Sequence, residues 1–179
     1  MTVAAMPSGR VIWITGLSGA GKTTVGGLVV EAMRARGQTV VWLDGDRLRD
    51  IMGAGTSGFD EASRRRLAGT YGRLCREVAD QGVDVVCTTV SMFHEVRQWN
   101  RDNIAGYFEI YLRVPLDELC RRDPKGHYRA SDAMVGIHLA AEEPATPDLV
   151  IDNYGTRDAG TAAGQIILAL EAREKRTRP

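Results

Sequence analysis

The sequence predicts an α/β fold in which a five-stranded parallel sheet is covered by helices on both faces. Short apolar, β-branched segments alternate with amphipathic segments along the whole chain, as expected for parallel strands joined by crossover helices. The first apolar segment leads into the glycine-rich stretch GLSGAGKTT (16–24), and an amphipathic segment follows at once. A strand, a glycine-rich loop and a helix in this order are typical of phosphate-binding α/β domains.

Five apolar segments are the predicted strands. Each is short, rich in valine, isoleucine or leucine, and bounded by polar residues or glycine, which is the pattern of a buried strand. The predicted strands are RVIWIT (10–15), TVVWLD (39–44), VDVVCTTV (83–90), YFEIYLRV (107–114) and DLVID (148–152).

The segments between these strands are predicted helices. In the first of them, apolar residues recur at helical spacing from Val25 to Met33, and Gly37 ends the helix. The stretch GAGTSG (53–58) is predicted as a loop rather than a dinucleotide-binding turn, because it follows a helix instead of a strand. The predicted helices span 22–36, 46–52, 60–81, 95–103, 115–122 and 157–176.

The chain is predicted to form one domain, residues 1–179, because it shows no repeat, low-complexity tract or linker. Residues 1–9 are expected to be a flexible N-terminal tail. Residues 123–147 are polar, contain three prolines and have no clear period, and are expected to form a lid.

Composition narrows the classes of function. The chain has 23 Lys and Arg against 23 Asp and Glu, so there is no basic field that would favour nucleic acid as a partner. No segment has the roughly 18 apolar residues of a membrane span. The three cysteines are widely spaced and form no CxxC pair, which favours reduced thiols in a cytoplasmic protein.

Residues 16–23 match the phosphate-loop pattern GxxxxGK[ST] in full. The glycines allow backbone N–H groups to surround a phosphate at a helix N-terminus. Lys22 is expected to bridge the β- and γ-phosphates of ATP, and the Thr23 hydroxyl is expected to bind Mg²⁺. The predicted ATP-binding residues are Gly16, Ser18, Gly19, Ala20, Gly21, Lys22, Thr23 and Thr24.

Two carboxylates follow the second predicted strand in LDGDRLR (43–49). Ligands of open α/β sheets bind beyond the carboxyl ends of the strands, so Asp44 and Asp46 are expected near the phosphate loop. A carboxylate there can accept the proton of an attacking hydroxyl or hold Mg²⁺. We assign both roles to Asp46, while Asp44 is equally suited to capping the following helix.

These motifs together resemble adenylylsulfate kinases. GLSGAGKTT, LDGDRLR, FEIYLRVPLDELCRRDPKGHY (108–128) and PDLVID (147–152) occur in the order and spacing of that family, over roughly residues 10–170. The resemblance implies a P-loop kinase fold and transfer of the γ-phosphoryl group of MgATP to the 3′-hydroxyl of adenosine 5′-phosphosulfate.

The resemblance also implies roles for individual residues. Asp46 matches the carboxylate beside the acceptor hydroxyl, Arg49 and Arg64 match arginines that bind the acceptor's phosphosulfate end, and Phe59 matches an aromatic that stacks on its base. The implied catalytic residues are Lys22, Asp46 and Arg122. The implied acceptor-binding residues are Asp46, Arg49, Phe59, Arg64, Ser91 and Lys125. Arg122 and Lys125 belong to the start of the lid, and Ser91 matches a serine often marked as phosphorylated.

The departures from the family pattern lie on the acceptor side. The family's asparagine is Leu67, a later arginine is Gly69, and a stacking phenylalanine is Met134; the lid is also shorter and less basic. Phe93 is expected to join Leu67 and Met134 in an acceptor wall that is less polar than the family's. Arg65, Arg66 or Arg73 could compensate by reaching the same anion.

The predicted function is therefore an ATP-dependent kinase acting on a small-molecule hydroxyl, with adenosine 5′-phosphosulfate as the largest single candidate. The same chemistry on a different modified nucleotide, or on an amino-sugar or secondary-metabolite hydroxyl, is the alternative. A non-catalytic nucleotide-binding regulator is a further alternative. Homodimerisation is left open, and neither nucleic acid nor a membrane is expected as a partner.

Overall fold

The computed structural model describes residues 8–52, 60–122 and 141–177. Its strands form one parallel sheet in the order β2-β3-β1-β4-β5, so the strand before the glycine loop lies in the centre. The strands are β1 Val11–Thr15, β2 Val40–Asp44, β3 Asp84–Thr89, β4 Tyr107–Arg113 and β5 Leu149–Asp152. The predicted five-stranded parallel sheet is confirmed.

The predicted helices are also confirmed, with small shifts at their ends. In the described residues they are α1 Lys22–Ala35, α2 Gly45–Met52, α3 Glu61–Asp80, α4 His94–Asn103, α5 Leu116–Arg122 and α6 Ala159–Thr177. Side-chain caps explain why two of the helices begin later than predicted. Asp60 accepts the Ser63 amide at 2.9 Å, and Asp158 accepts the Thr161 amide at 2.7 Å, so α3 and α6 begin one residue after these caps.

Successive residues of β1 point to opposite faces of the sheet, which produces two cores. Ile12 and Ile14 pack with residues of α1 and α6, whereas Val11 and Trp13 pack with residues of α3 and α4. Both cores are buried, which explains why the central strands are nearly continuous apolar runs.

A buried ion pair joins α4 to the sheet. The Arg97 Nε atom lies 3.1 Å from Glu109 Oε1, and the two side chains are only 4% and 3% exposed. Arg101, also on α4, binds the second oxygen of Glu109. The charges of these two arginines therefore offset that of a carboxylate placed inside the α3–α4 core.

The structure describes parts of the segments that were predicted as a tail and a lid. The Gly9 amide donates to the Ala79 carbonyl at 2.7 Å, and the Ser8 hydroxyl donates to the same oxygen at 3.2 Å. Residues 8 and 9 are thus attached to the end of α3, and only 1–7 of the predicted tail lie outside the described residues.

The segment 141–147, which was assigned to the lid, is attached to α4 and to the chain just before it. The Glu142 amide donates to the Met92 carbonyl at 3.3 Å, and its own carbonyl accepts Arg97 at 2.6 Å. Arg101 binds the Thr146 carbonyl at 3.0 Å. The remainder of the predicted lid, 123–140, lies outside the described residues.

Within the described ranges, no helix combines the length and apolar character that crossing a bilayer requires.

Candidate active site

The glycine loop lies between β1 and α1, as its sequence predicted, and turns tightly at its ends. Gly16 has φ +155°, and a Cβ atom there would lie 2.6 Å from the Leu112 carbonyl of β4. Gly21, at the start of α1, has φ +91°. Side chains are strained at both positions, so the glycines allow the loop to bring its amides to the N-terminus of α1.

The loop is braced from both sides of its turn. The Asn153 side chain, directly after β5, donates to the Ala20 carbonyl at 2.8 Å. The Lys22 ammonium donates to the Leu17 carbonyl at 2.8 Å, which places its charge over the loop. The loop therefore has a defined shape with a cation in the position predicted for phosphate contact.

The carboxylate that contacts the loop is that of Asp44, the last residue of β2. The Thr23 hydroxyl donates to Asp44 Oδ2 at 2.9 Å, and the Thr88 hydroxyl donates to the same oxygen at 2.7 Å. The other oxygen, Oδ1, accepts the amides of Asp46 at 3.1 Å and Arg47 at 3.4 Å. Asp44 thus caps α2 and contacts the predicted metal-binding hydroxyl at once.

These four hydrogen bonds determine the protonation of Asp44. Burial alone would raise the pKa of this carboxyl, but the donors from Thr88 and Thr23 and from the two backbone amides outweigh burial and lower the pKa. A carboxylate with a lowered pKa and four donors is a stable anion and a poor proton acceptor. Asp44 is therefore suited to orienting Thr23 and supporting a cation.

Asp46 lies in the first turn of α2 with its side chain exposed, two residues beyond Asp44. The turn that carries both carboxylates is held from α3, because the Tyr71 hydroxyl donates to the Gly45 carbonyl at 3.1 Å. Burial raises the pKa of Tyr71 to about 12, so its hydroxyl remains a donor at neutral pH. The exposed Asp46 remains the carboxylate of this pair that can meet an incoming hydroxyl.

The structure brings together two arginines that the sequence assigned to the acceptor. Arg49 lies on α2 and Arg64 on α3. Partial burial lowers the pKa of Arg64, and the nearby charge of Arg49 lowers it further. The opposite charge of Asp60 acts against this lowering. Two guanidinium groups whose charges interact in this way are suited to binding an anion.

The other predicted acceptor residues have different positions. Ser91 is buried after β3, and its hydroxyl lies 2.8 Å from that of Thr89. Arg122, at the end of α5, donates to Glu118 on its own helix at 2.8 Å. Phe59 and Lys125 lie outside the described residues, as does Met134.

Of the wall predicted from sequence, two residues are described. Leu67 is buried in the α3–α4 core, and Phe93 packs against that core. The Arg65 guanidinium stacks on the Phe93 ring, 4.7 Å from its centroid. Arg65 also pairs with Glu61, Glu95 and Glu142. Its positive charge is therefore balanced by carboxylates of the protein rather than by an acceptor anion.

A groove of about 450 Å³ lies at the other side of the glycine loop, at the carboxyl ends of β4 and β5. Its lining combines apolar and aromatic side chains with one carboxylate and one guanidinium, that of Arg113. The residues that line it include Leu17, Tyr111, Val114, Leu116, Glu143 and Tyr154. The loop therefore separates this groove from the carboxylates of the β2 side.

Sequence reasoning missed three residues of the site. Asn153, Thr88 and Tyr71 each make one hydrogen bond that holds the glycine loop, Asp44 or the turn after it. Asn153 and Thr88 lie at or next to the carboxyl ends of predicted strands, and that position was the available signal. Tyr71 lies within a helix and could be recognised only from the packing of α3 on the sheet.

Comparisons with known proteins identify the family of the chain. The family model described as adenylylsulphate kinase matches residues 8–152. Cytidine diphosphoramidate kinase of Campylobacter jejuni subsp. jejuni is 37% identical over 148 residues, which cover 80% of this chain and 85% of that protein. Adenylyl-sulfate kinase of Aeromonas hydrophila subsp. hydrophila is 34% identical over 171 residues, 91% of this chain and 85% of that protein.

A solved structure gives the same result in three dimensions. The Mycobacterium tuberculosis APS kinase in complex with AMPPNP and APS superposes with a TM-score of 0.83 and 32% sequence identity. The match covers 92% of this chain and 99% of that chain. With the complete phosphate loop and the carboxylate pair beside it, these similarities show that the chain belongs to the adenylylsulphate kinase family and is an ATP-dependent phosphotransferase.

Proposed function

We propose that this kinase phosphorylates a hydroxyl of a nucleotide whose phosphate carries a second tetrahedral group, with a cytidine-diphosphoramidate-type nucleotide preferred to adenosine 5′-phosphosulfate. The observation that carries the proposal is that Arg49 lies on α2, the helix that also carries Asp46, and that its charge acts on Arg64 of α3. Two adjacent guanidinium groups suit a doubly charged tail, and both nucleotides have such a tail.

The preference between the two nucleotides rests on the polar side chains of the family pattern that this chain lacks. Leu67 stands where the family has an asparagine, and it is packed in the core and offers no hydrogen bond to a nucleotide. A site built to pair with polar groups of one base loses much of its discrimination when those partners are replaced by apolar residues. The 37% identity with cytidine diphosphoramidate kinase supports the same preference for the cytidine nucleotide. Adenosine 5′-phosphosulfate is the second candidate, favoured by the family model.

ATP would bind with its phosphates on the glycine loop and its nucleoside in the groove over β4 and β5. The amides of the loop and the Lys22 ammonium would hold the β- and γ-phosphates. The acceptor would then approach from the β2 side, so the two nucleotides would meet over the central strand β1. This arrangement holds the acceptor oxygen and the γ-phosphorus in line, which is the main contribution of such sites to catalysis.

Asp46 would act as the general base. As the acceptor oxygen forms the new bond to the γ-phosphorus, its proton would pass to the Asp46 carboxylate and the bridging oxygen would leave with ADP. Lys22 would offset the charge that develops on the transferred group. Asp44 would not exchange a proton, because its oxygens are already occupied by four donors.

The residues beside the loop also suit Mg²⁺. A hydroxyl and a carboxylate are hard oxygen ligands, and nucleotide-bound Mg²⁺ is usually held by one or two protein oxygens together with phosphates and water. In the described part of the chain there is no cluster of three His, Cys, Asp or Glu that would form an all-protein cage. Thr23 would bind the ion directly and Asp44 through water, and the ion would neutralise phosphate charge.

The acceptor can be identified by steady-state kinetics of ADP release with MgATP and a set of acceptors. The proposal predicts a kcat/KM for cytidine diphosphoramidate of about 10⁴ M⁻¹s⁻¹ or more and a lower value for adenosine 5′-phosphosulfate. The Lys22→Ala variant controls for contaminating kinases. The reverse order of the two nucleotides would refute the preference, and faster turnover of a neutral sugar would refute the nucleotide acceptor altogether.

A further inference from the structure

A continuous chain of hydrogen bonds leads from the edge strand β2 to the glycine loop. The Trp42 indole Nε1 lies 3.2 Å from the Thr88 hydroxyl oxygen. That hydroxyl lies 2.7 Å from Asp44 Oδ2, which also contacts the Thr23 hydroxyl at 2.9 Å. Trp42 and Thr88 take no part in the phosphoryl-transfer chemistry. Through Asp44 they are nevertheless linked to Thr23, which is proposed to bind Mg²⁺.

The chemistry of the groups fixes the direction of every bond in this chain. An indole N–H can only donate, so the Thr88 oxygen accepts from Trp42. The single hydroxyl proton of Thr88 is then directed to Asp44, which as an anion can only accept. The Thr23 proton is directed to the same carboxylate. The lone pairs of the Thr23 oxygen consequently face away from Asp44 and are available to a cation.

Helix α1 makes room for this arrangement with two consecutive glycines. A Cβ atom on Gly26 would lie 2.3 Å from Thr88 Cγ2, and one on Gly27 would lie 3.3 Å from the Trp42 ring. A glycine within a helix is less favourable than alanine. Gly26 therefore gives up helix stability at a position where any side chain would press on the Thr88 methyl group.

We propose that Thr88 and Trp42 are positioning residues that orient Asp44, and through it the Thr23 hydroxyl, towards the divalent cation bound with the nucleotide. The inference rests on the proposed Mg²⁺ role of Thr23 and is independent of the identity of the acceptor. Groups that orient a metal ligand commonly change metal affinity by 10- to 100-fold when they are removed. A residue that only fills space would instead affect nucleotide binding with and without the metal alike.

Calorimetric titration of ADP with excess Mg²⁺ and with EDTA separates these two roles. Thr88→Val keeps the shape of the side chain and removes the hydroxyl; we expect it to lower the Mg²⁺-dependent gain in ADP affinity by about tenfold. Affinity in EDTA should stay within about twofold, a limit that allows for small packing changes. Thr88→Ser should restore the gain, and Trp42→Phe should reduce it by a smaller factor in the same direction.

The matched control is Thr89→Val, because the Thr89 hydroxyl is also buried on β3 but contacts Ser91 rather than Asp44. It should leave the Mg²⁺-dependent gain unchanged. Suppose that the wild-type protein shows the Mg²⁺-dependent gain in ADP affinity and that both Thr88→Val and Trp42→Phe keep this gain. The positioning role is then refuted, while the proposed function stands. If the wild-type protein itself shows no gain, the Mg²⁺ role of Thr23 fails and the inference fails with it. Should Thr88→Val not fold, Trp42→Phe alone decides between these outcomes.

Discussion

Replacing Glu109 by alanine should destabilise the protein far more than replacing any exposed carboxylate. Glu109 lies on β4 with its side chain only 3% exposed, and its partner Arg97 is 4% exposed. The Arg97 side chain also donates to the Glu142 carbonyl at 2.6 Å, so it cannot turn to solvent without releasing the segment 141–147. The variant would therefore leave a buried guanidinium without its carboxylate.

The size of the effect follows from burial. Removing one partner of a buried ion pair costs about 3–5 kcal/mol, and the second, more exposed contact with Arg101 adds less than about 1 kcal/mol. For a chain of this length, each kcal/mol lowers Tm by about 2–4 °C. The free energy of unfolding should thus fall by about 4 kcal/mol and Tm by roughly 8–16 °C.

Urea unfolding with linear extrapolation measures the free energy, and a thermal scan measures Tm. Glu118→Ala is the matched control, because Glu118 also contacts two arginines, Arg121 and Arg122, but its side chain is 19% exposed against 3% for Glu109. It should change Tm by only a small fraction of the Glu109 effect. A loss of less than about 1 kcal/mol for Glu109→Ala, the range of surface pairs, would show that the pair does not act through burial.

Four further substitutions test the site and the packing around it. Lys22→Ala should lower kcat/KM by at least about 100-fold, the range for loss of a group that stabilises developing charge, with an unchanged far-UV circular dichroism spectrum. Asp46→Asn should lower kcat much more than it changes the KM for ATP, measured with saturating acceptor. Arg64→Gln should raise the KM for the acceptor and leave that for ATP unchanged; equal changes in both would argue against an acceptor role. Gly72→Ala should lower Tm, because its Cβ atom would lie 2.2 Å from Asn100 Oδ1, and a Tm equal to that of the wild-type protein would contradict this packing.

The sequence was sufficient for the sheet, the helices and the glycine loop, because these depend on periodicity and on a local motif. It was not sufficient to decide which of the two carboxylates, Asp44 or Asp46, contacts the glycine loop. Both follow the same strand, and only the three-dimensional contact with Thr23 shows which carboxylate meets the loop. The sequence also did not show how the end of the predicted lid is held. Residues 141–147 have a loop composition, but they are held by arginines of α4 that lie some 45 residues earlier in the chain.

The order of the strands has a consequence for how such enzymes change during evolution. The glycine loop is braced by Asn153 after β5, at the opposite edge of the sheet from β2. The two arginines proposed for the acceptor lie on α2, which follows β2, and on α3. The brace consists of Asn153 and Ala20, and neither residue belongs to α2 or α3. Mutations at distant sites without common partners act almost independently. A duplicated gene could therefore acquire a new acceptor in small steps. Every intermediate enzyme would still hydrolyse ATP or transfer its γ-phosphoryl group. This property makes the family a favourable starting point for evolving kinases that act on new nucleotides.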